Sequence, residues 1–187
     1  MIGTASGNSN ARIGIPSRAD YSFLTSVSGG VVALDYASKT WVTRHLPGLF
    51  DSVNPKGPLT LALEQNHAGA FGFMNGADPV LTRAVFSSIS LVSAAVLIWL
   101  YLRLKARPSA VAWGLSLALG GALGNLLDRI RLGYVVDFVD LHVLFLGVQR
   151  RLSRFNLADV AITVGVGLLA AEVLRSRRAV AAPAPPA

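Results

Sequence analysis

The chain has 187 residues, of which 52% are hydrophobic and only 14% charged, with a mean hydropathy of +0.52. That balance excludes an ordinary water-soluble domain and points to lipid as the solvent. Cysteine is absent, which excludes disulfides and thiolate metal sites, and the 17 Lys and Arg against 10 Asp and Glu are read as loops and tails facing anionic lipid, with no nucleic-acid partner.

Residues 1–22 are polar and rich in Gly, Ser and Asn, carry no cleavable signal-peptide pattern, and are read as a disordered extension. A first span is expected over Phe23 to Val42, where Asp35 and Lys39 stand four residues apart, the spacing of an intrahelical ion pair. The outer loop, residues 44–82, contains Pro47, Pro55, Pro58 and Pro79, a strand over Leu59 to Leu63 and a Gly-rich stretch, and is read as a small extramembrane layer, partly β. Ala84 to Leu102 and Ser109 to Leu127 contain no charge. At about 1.5 Å per residue, each crosses a hydrocarbon core of about 30 Å. Gly120 and Gly124 form a G-x-x-x-G pattern with Gly114 and Gly121 nearby, read as close helix packing.

Gly133 offers a tight bend after the third helix. Residues 133–154, apolar and β-branched and then basic, are read as an interfacial hook feeding a fourth span over Leu157 to Leu174, and residues 176–187 as a disordered basic, Pro- and Ala-rich tail. The fold class expected is mainly α: a polytopic membrane protein of four transmembrane helices, residues 23–175, with a small extramembrane β-layer. Four spans place both termini on one face, with eight basic residues on each side, so charge leaves the orientation tied. The tight Arg103, Lys105, Arg107 loop and the Arg175, Arg177, Arg178 tail favour termini inside.

Two aspartates lie where hydrophobic helices should meet water, Asp137 in Gly-Tyr-Val-Val-Asp-Phe and Asp159 in Phe-Asn-Leu-Ala-Asp. A carboxylate at that depth needs a reason. Asn156 precedes an apolar run as an N-cap does, which puts Asp159 in the first turn beside the positive end of the helix dipole. Taken alone, Asn-x-x-Asp is an ordinary capping arrangement. Asp137 alters that reading, because a bend at Gly133 brings it back toward the neighbouring fourth helix. Two carboxylates about 4 Å apart repel by roughly 4 kcal/mol at an effective dielectric near 20, or about three pKa units. Such a pair holds one proton around neutrality, so that one member takes a proton from water while the other polarises a carbonyl.

Asp140 is a rival third carboxylate, read as a solvated loop residue; Asp128 and Arg129 are read as binding neighbouring backbone or opposite charges, and Asn125, at the membrane end of its helix, needs a hydrogen-bond partner. His45, His67 and His142 are scattered without ligand spacing, Ser116 has no evident catalytic histidine, and no metal or organic cofactor is called for.

Asp35-x-x-x-Lys39, Asn66-His67-Ala68-Gly69-Ala70-Phe71-Gly72, and the segments Gly124-Asn125-Leu126-Leu127-Asp128-Arg129 to Asp137 and Asn156 to Asp159 occur in an order that resembles the lipoprotein signal peptidase (signal peptidase II) family. The resemblance runs from about residue 24 to 175. It implies a bacterial plasma (inner) membrane aspartic peptidase, termini cytoplasmic and active site near the outer face, that removes the signal peptide from prolipoproteins just before a cysteine bearing diacylglyceryl. Carried over by motif, it implies Asp137 and Asp159 as catalytic dyad, Asn66, Asn125, Arg129 and Asn156 as substrate-positioning residues, and Asp35, Lys39 and Asp128 as support. Partners would be diacylglyceryl-prolipoproteins and membrane lipid, with a monomer sufficient. The usual Asn-x-Gly-Ala-Ala-Phe reads Asn-His-Ala-Gly-Ala-Phe here, displacing glycine by one place beside Asn66. The alternatives are a small proton- or ion-coupled transporter using Asp35, Lys39, Asp137 and Asp159, and an inactive substrate-binding homologue.

Overall fold

A computed structural model describes residues 18–46, 58–67, 78–104, 109–145 and 148–181. The elements in chain order are α1 (Arg18–His45), β1 (Leu59–Asn66), α2 (Pro79–Leu102), α3 (Ala110–Leu132), β2 (Val135–Phe145), β3 (Val148–Phe155) and α4 (Leu157–Ala181). Local sequence chemistry sets several of the boundaries. Asp78 caps α2 by accepting from the Leu81 N–H at 2.9 Å, with Pro79 at the first helical position, and Ser109 caps α3 by accepting from the Ala112 N–H at 3.2 Å. Gly133 ends α3 with φ 87°, its N–H donating to the Arg129 carbonyl at 3.2 Å, a left-handed cap that other residues adopt only with strain.

Among the described residues, three helices are long and apolar enough to cross a membrane: Pro79–Leu102, Ala110–Leu132 and Leu157–Arg178. α1 has the length, with 28 residues, but its charges lower its hydropathy. α3 lies at the centre and packs against each of the other three helices. Its small residues permit this. A Cβ built on Gly120 would stand 2.6 Å from Val31 Cβ of α1, and one on Gly121 would stand 2.3 Å from the Ala158 carbonyl oxygen of α4. A Cβ on Gly124 would stand 2.8 Å from Asp35 Oδ2, so this glycine makes room for a carboxylate rather than for a helix backbone. The glycine seam thus serves two partners at once. The apolar core of the bundle gathers Leu24, Ala94, Tyr101, Ala112, Leu115 and Leu119, while Leu91, Val92, Val96 and Trp99 of α2 remain exposed on the outer surface.

The strands form one antiparallel sheet in the order β1-β2-β3. The segment expected as an irregular hook is therefore mostly a β-hairpin, its β-branched first half finding a strand partner on each side. The strand expected over Leu59 to Leu63 runs on to Asn66. Val136 and Phe138 pack with Leu63 and with Val42 of α1, anchoring the sheet to the end of the bundle. α4 continues to Ala181, so residues 176–181 of the expected tail are helical. Residues 18–22 of the extension expected to be disordered over 1–22 belong instead to the first turns of α1, while 1–17 and 182–187 fall outside the described residues, as do 47–57 and 68–77 of the outer loop.

Gly121→Val is expected to destabilise the bundle by roughly 1–3 kcal/mol or more, because the backbone of α4 must move to admit it. Gly167→Ala, at a site with nothing within 4 Å of the new Cβ, is expected to leave the unfolding midpoint in detergent unchanged or slightly raised. Thermal melts of the two variants check this.

Candidate active site

The site is built on a buried cation. The Lys39 ammonium donates to Asp35 at 2.7 Å, to Asp128 at 2.9 Å and to Asn125 Oδ1 at 3.1 Å. A lysine has three donors, and all are used. The ion pair expected between Asp35 and Lys39 is present, with Asp128 as a second carboxylate. Both acids carry the network onward. Asp35 Oδ1 accepts from the Ala158 N–H at 2.9 Å, in the first turn of α4, and Asp128 Oδ2 accepts from the Val136 N–H at 3.1 Å, beside Asp137 in β2. These four groups thereby tie α1 and α3 to the two segments that carry the aspartates. All three charged side chains are buried, where such pairs are little screened.

Asn156 caps α4 in a reciprocal box: its Oδ1 accepts from the Asp159 N–H at 3.0 Å, and its own N–H donates to Asp159 Oδ2 at 3.1 Å. The cap does not exhaust either residue. The Asn156 side-chain amide also donates to Asp137 Oδ1 at 2.7 Å and to Asn125 Oδ1 at 3.1 Å, and the Asn125 amide donates to Asp159 Oδ1 at 2.8 Å. Asn66, at the end of β1, donates to Asp137 Oδ2 at 2.8 Å. Asn156 therefore touches both aspartates, and each carboxylate accepts two bonds from amides. An ionised carboxylate offers about four acceptor positions, so each retains capacity for water or substrate.

Burial pushes Asp137 up, the Asn66 hydrogen bond lowers it and the Asp159 charge raises it again; the result is about 7, against 3.8 for a free carboxyl. Near neutrality Asp137 therefore exchanges a proton readily. Asp159 lies on the first turn of α4 and accepts from the Asn125 side-chain amide and the Asn156 backbone N–H.

Arg129 leaves α3 toward α2: its guanidinium lies over the Phe86 ring at 5.4 Å, with Nη1 3.3 Å from Ser90 Oγ and 3.4 Å from the Asn125 carbonyl. It is close enough to feel the charges of Asp159, Asp137 and Asp128 without bonding to them. Asp140 corrects the expectation of a solvated loop residue. It is buried in β2 and paired with Arg154 of β3, which also bonds Glu64 of β1. The cross-strand register brings these three together, and sequence spacing carries no sign of it. Ser90 and Phe86, the shelf under Arg129, were equally silent within an apolar helix. Among the described residues no group of three or more His, Asp or Glu is placed to hold a metal.

The family profile described as signal peptidase (SPase) II matches residues 27–175. The chain belongs to the signal peptidase II family. It is 35% identical over 164 residues to the lipoprotein signal peptidase of Geobacter metallireducens, covering 87% of this chain and 95% of that one. It is 38% identical over 144 residues to that of Desulforapulum autotrophicum, covering 76% of this chain and 86% of the other. Two solved structures of bacterial membrane enzymes share the fold, with TM-scores of 0.69 and 0.67 at 24% and 25% identity, covering 83% and 82% of this chain and 90% and 93% of theirs. The matched segment begins within α1 and ends within α4, so it takes in every residue of the network around Lys39, Asp137 and Asp159.

Lys39→Met is expected to destabilise the protein by about 3–5 kcal/mol, because it strands two buried carboxylates; adding Asp35→Asn should recover part of that loss in the same melt. Asp137 predicts the opposite sign. Its folded pKa exceeds the unfolded value, so its ionisation opposes folding, and stability is lost as pH rises from about 4 through about 7. Asp137→Asn removes a penalty on the order of 4 kcal/mol above neutrality, and a flipped Asn66 amide satisfies the new side chain. The variant should melt above wild type at about pH 8, with the gap closing toward about pH 4.

Proposed function

We propose that this chain is an aspartic endopeptidase that removes the signal peptide from diacylglyceryl-modified prolipoproteins, cutting before the lipidated cysteine. The observation that carries this reading is Asn156, whose side chain holds Asp137 while its backbone holds Asp159, bringing a carboxyl that titrates near neutrality together with a second one on the first turn of α4. In this reading Asp159 takes a proton from water, the nascent hydroxide attacks the scissile carbonyl, and Asp137 gives its proton to the carbonyl oxygen. Collapse of the tetrahedral intermediate returns that proton to Asp137. The proton held by Asp159 passes to the leaving nitrogen as the C–N bond breaks. Asn66, Asn125 and Asn156 hold the dyad in register, and Arg129 offers its guanidinium to the polar region of the substrate, between α2 and α3. Asp35, Lys39 and Asp128 support the site from beneath.

The proposed topology has four spans, with α1 as the fourth despite its charges. Asp35 and Lys39 are paired and buried, so they do not face lipid. Tyr21 and Trp41 are exposed on α1. Twenty residues apart, they are separated by about 30 Å of helix, the thickness of a hydrocarbon core, and aromatic residues favour both of its edges. Arg103 lies over the Trp99 ring at 4.9 Å at the other end of α2 from Arg83, consistent with an inner interface there. We place the termini in the cytoplasm, the dyad near the outer face of a bacterial plasma membrane, and the working unit as a monomer.

A cleavage assay on purified diacylglyceryl-prolipoprotein, read as a gel shift, tests the proposal with wild type, Asp137→Asn and Asp159→Asn. Wild type is expected to cleave, and each substitution to lower kcat by about 10³-fold or more with the substrate still bound. Cleavage that survives either substitution removes that aspartate from the chemistry. A folded wild type that cuts nothing favours a proton-coupled transporter, whose flux the same substitutions would alter.

A further inference from the structure

Arg154 stands two residues before Asn156, and Glu64 two residues before Asn66. The Arg154 guanidinium joins them: Nε donates to Asp140, its cross-strand neighbour on β2, and Nη1 donates to Glu64 on β1. Glu64 is itself the cross-strand neighbour of Asp137. The two outer strands of the sheet are thus connected across the middle one, at the end where the site lies.

The ladder reaches that end, pairing Glu64 to Asn66 with Val135 to Asp137 and Ser153 to Phe155 with Val139 to Leu141, but only over three residues on each side before an irregularity. The pairing of β1 with β2 slips between Leu61 and Glu64, and that of β2 with β3 slips between Leu141 and His142. A bulge disrupts local hydrogen bonding and adds twist, so a side-chain tether beside each short paired end restricts how far that end can move. We propose that Arg154 is a positioning residue that supplies this tether, holding β1 and β3 so that the Asn66 and Asn156 amides meet opposite oxygens of Asp137. The proposal rests on the peptidase reading and adds to it a residue outside the dyad's own network. The guanidinium suits the task, because its rigid planar fork reaches two carboxylates in different directions, which an ammonium on a flexible stem does not. The Arg154 side chain is 14% exposed and that of Asp140 5%, so their bond is shielded from the screening that weakens surface pairs, while the Glu64 side chain, 43% exposed, makes the more solvated half of the clamp.

A merely structural clamp would affect folding alone. A positioning clamp also alters the proton on Asp137, because both amides favour its charged form. The charged and polar groups around that carboxyl are Asp159 of α4, Lys39 of α1, Asp128 and Arg129 of α3, Glu64 and Asn66 of β1, and Asn156. Loosening the amides should raise the pKa and move the alkaline limb of the rate profile to higher pH.

The test uses the full chain in detergent with the diacylglyceryl-prolipoprotein substrate, following kcat and KM between about pH 5 and pH 9. Arg154→Lys keeps the charge and loses the fork; Glu64→Gln keeps the bond to Asp140 and loosens β1. Removing the Glu64 charge would by itself lower the Asp137 pKa, so the two explanations predict shifts of opposite sign. The expected result for both variants is a kcat lower by roughly tenfold at the optimum, a KM within about twofold, and an alkaline limb displaced upward by about half a pH unit or more. Wild-type behaviour of Arg154→Lys, an unmoved limb, or a downward shift in Glu64→Gln overturns the proposal. If Arg154→Lys does not fold, Glu64→Gln decides. A wild type that cuts no substrate at any pH instead overturns the peptidase reading, before either variant is compared.

Discussion

Three bonds to one ammonium organise this molecule. Lys39 is buried at the meeting point of α1 and α3, and a charge in that position is tolerable only if its donors are met by good acceptors. Two of those acceptors are carboxylates that also accept from backbone N–H groups, Asp35 through its other oxygen from Ala158 at the start of α4 and Asp128 through the same Oδ2 from Val136 in β2. The helix bearing Asp159 and the strand bearing Asp137 are therefore fixed to one centre through two arms. Gly124 is part of the same construction, since any side chain there would collide with the Asp35 carboxylate. Polar groups in a low-dielectric setting strengthen one another when every member is satisfied, and at Lys39 every donor is.

A second economy lies in Asn156. Capping a helix and holding a buried carboxyl on another element are separate tasks, and here one side chain performs both, because an amide has an oxygen for the Asp159 N–H and two hydrogens for other partners. Aspartate or serine would cap α4 equally well, yet neither can donate two bonds to Asn125 and Asp137. The identity of the residue follows from the site, whereas the need for some cap follows from the helix.

Much of this was legible in the sequence. The charge-free windows marked α2 and α3, Gly133 marked the end of α3, and the Asn156–Asp159 spacing announced a capped α4. The i,i+4 spacing of Asp35 and Lys39 announced their pair, although not Asp128, which is distant in sequence and arrives only through packing. What failed to show was register. Helical neighbours follow from a fixed period, but the partner of a strand residue depends on turns and bulges elsewhere. For that reason Asp140 read as solvated, Arg154 read as one more basic residue, and the β-hairpin read as a hook. The low hydropathy of α1 likewise counts Asp35 and Lys39 as isolated charges, whereas they pair with each other inside the bundle.

The placement of amides between the lysine and the aspartates has a physical logic of its own. Had Lys39 bonded Asp137 or Asp159 directly, an ammonium at contact distance would have stabilised both carboxylates as anions, and no proton would remain to share. Instead Lys39 bonds Asn125 Oδ1, and the Nδ2 of the same amide bonds Asp159 Oδ1. An amide transmits position through its rigid plane while carrying no net charge. Asp137 is still touched by the field of Lys39, but as the weakest of the influences on it, behind burial, the two amides and Asp159. The cation thus fixes where the carboxylates stand, and desolvation together with their mutual repulsion decides where the proton stays. Separating those two roles lets one buried charge make the site rigid without silencing it.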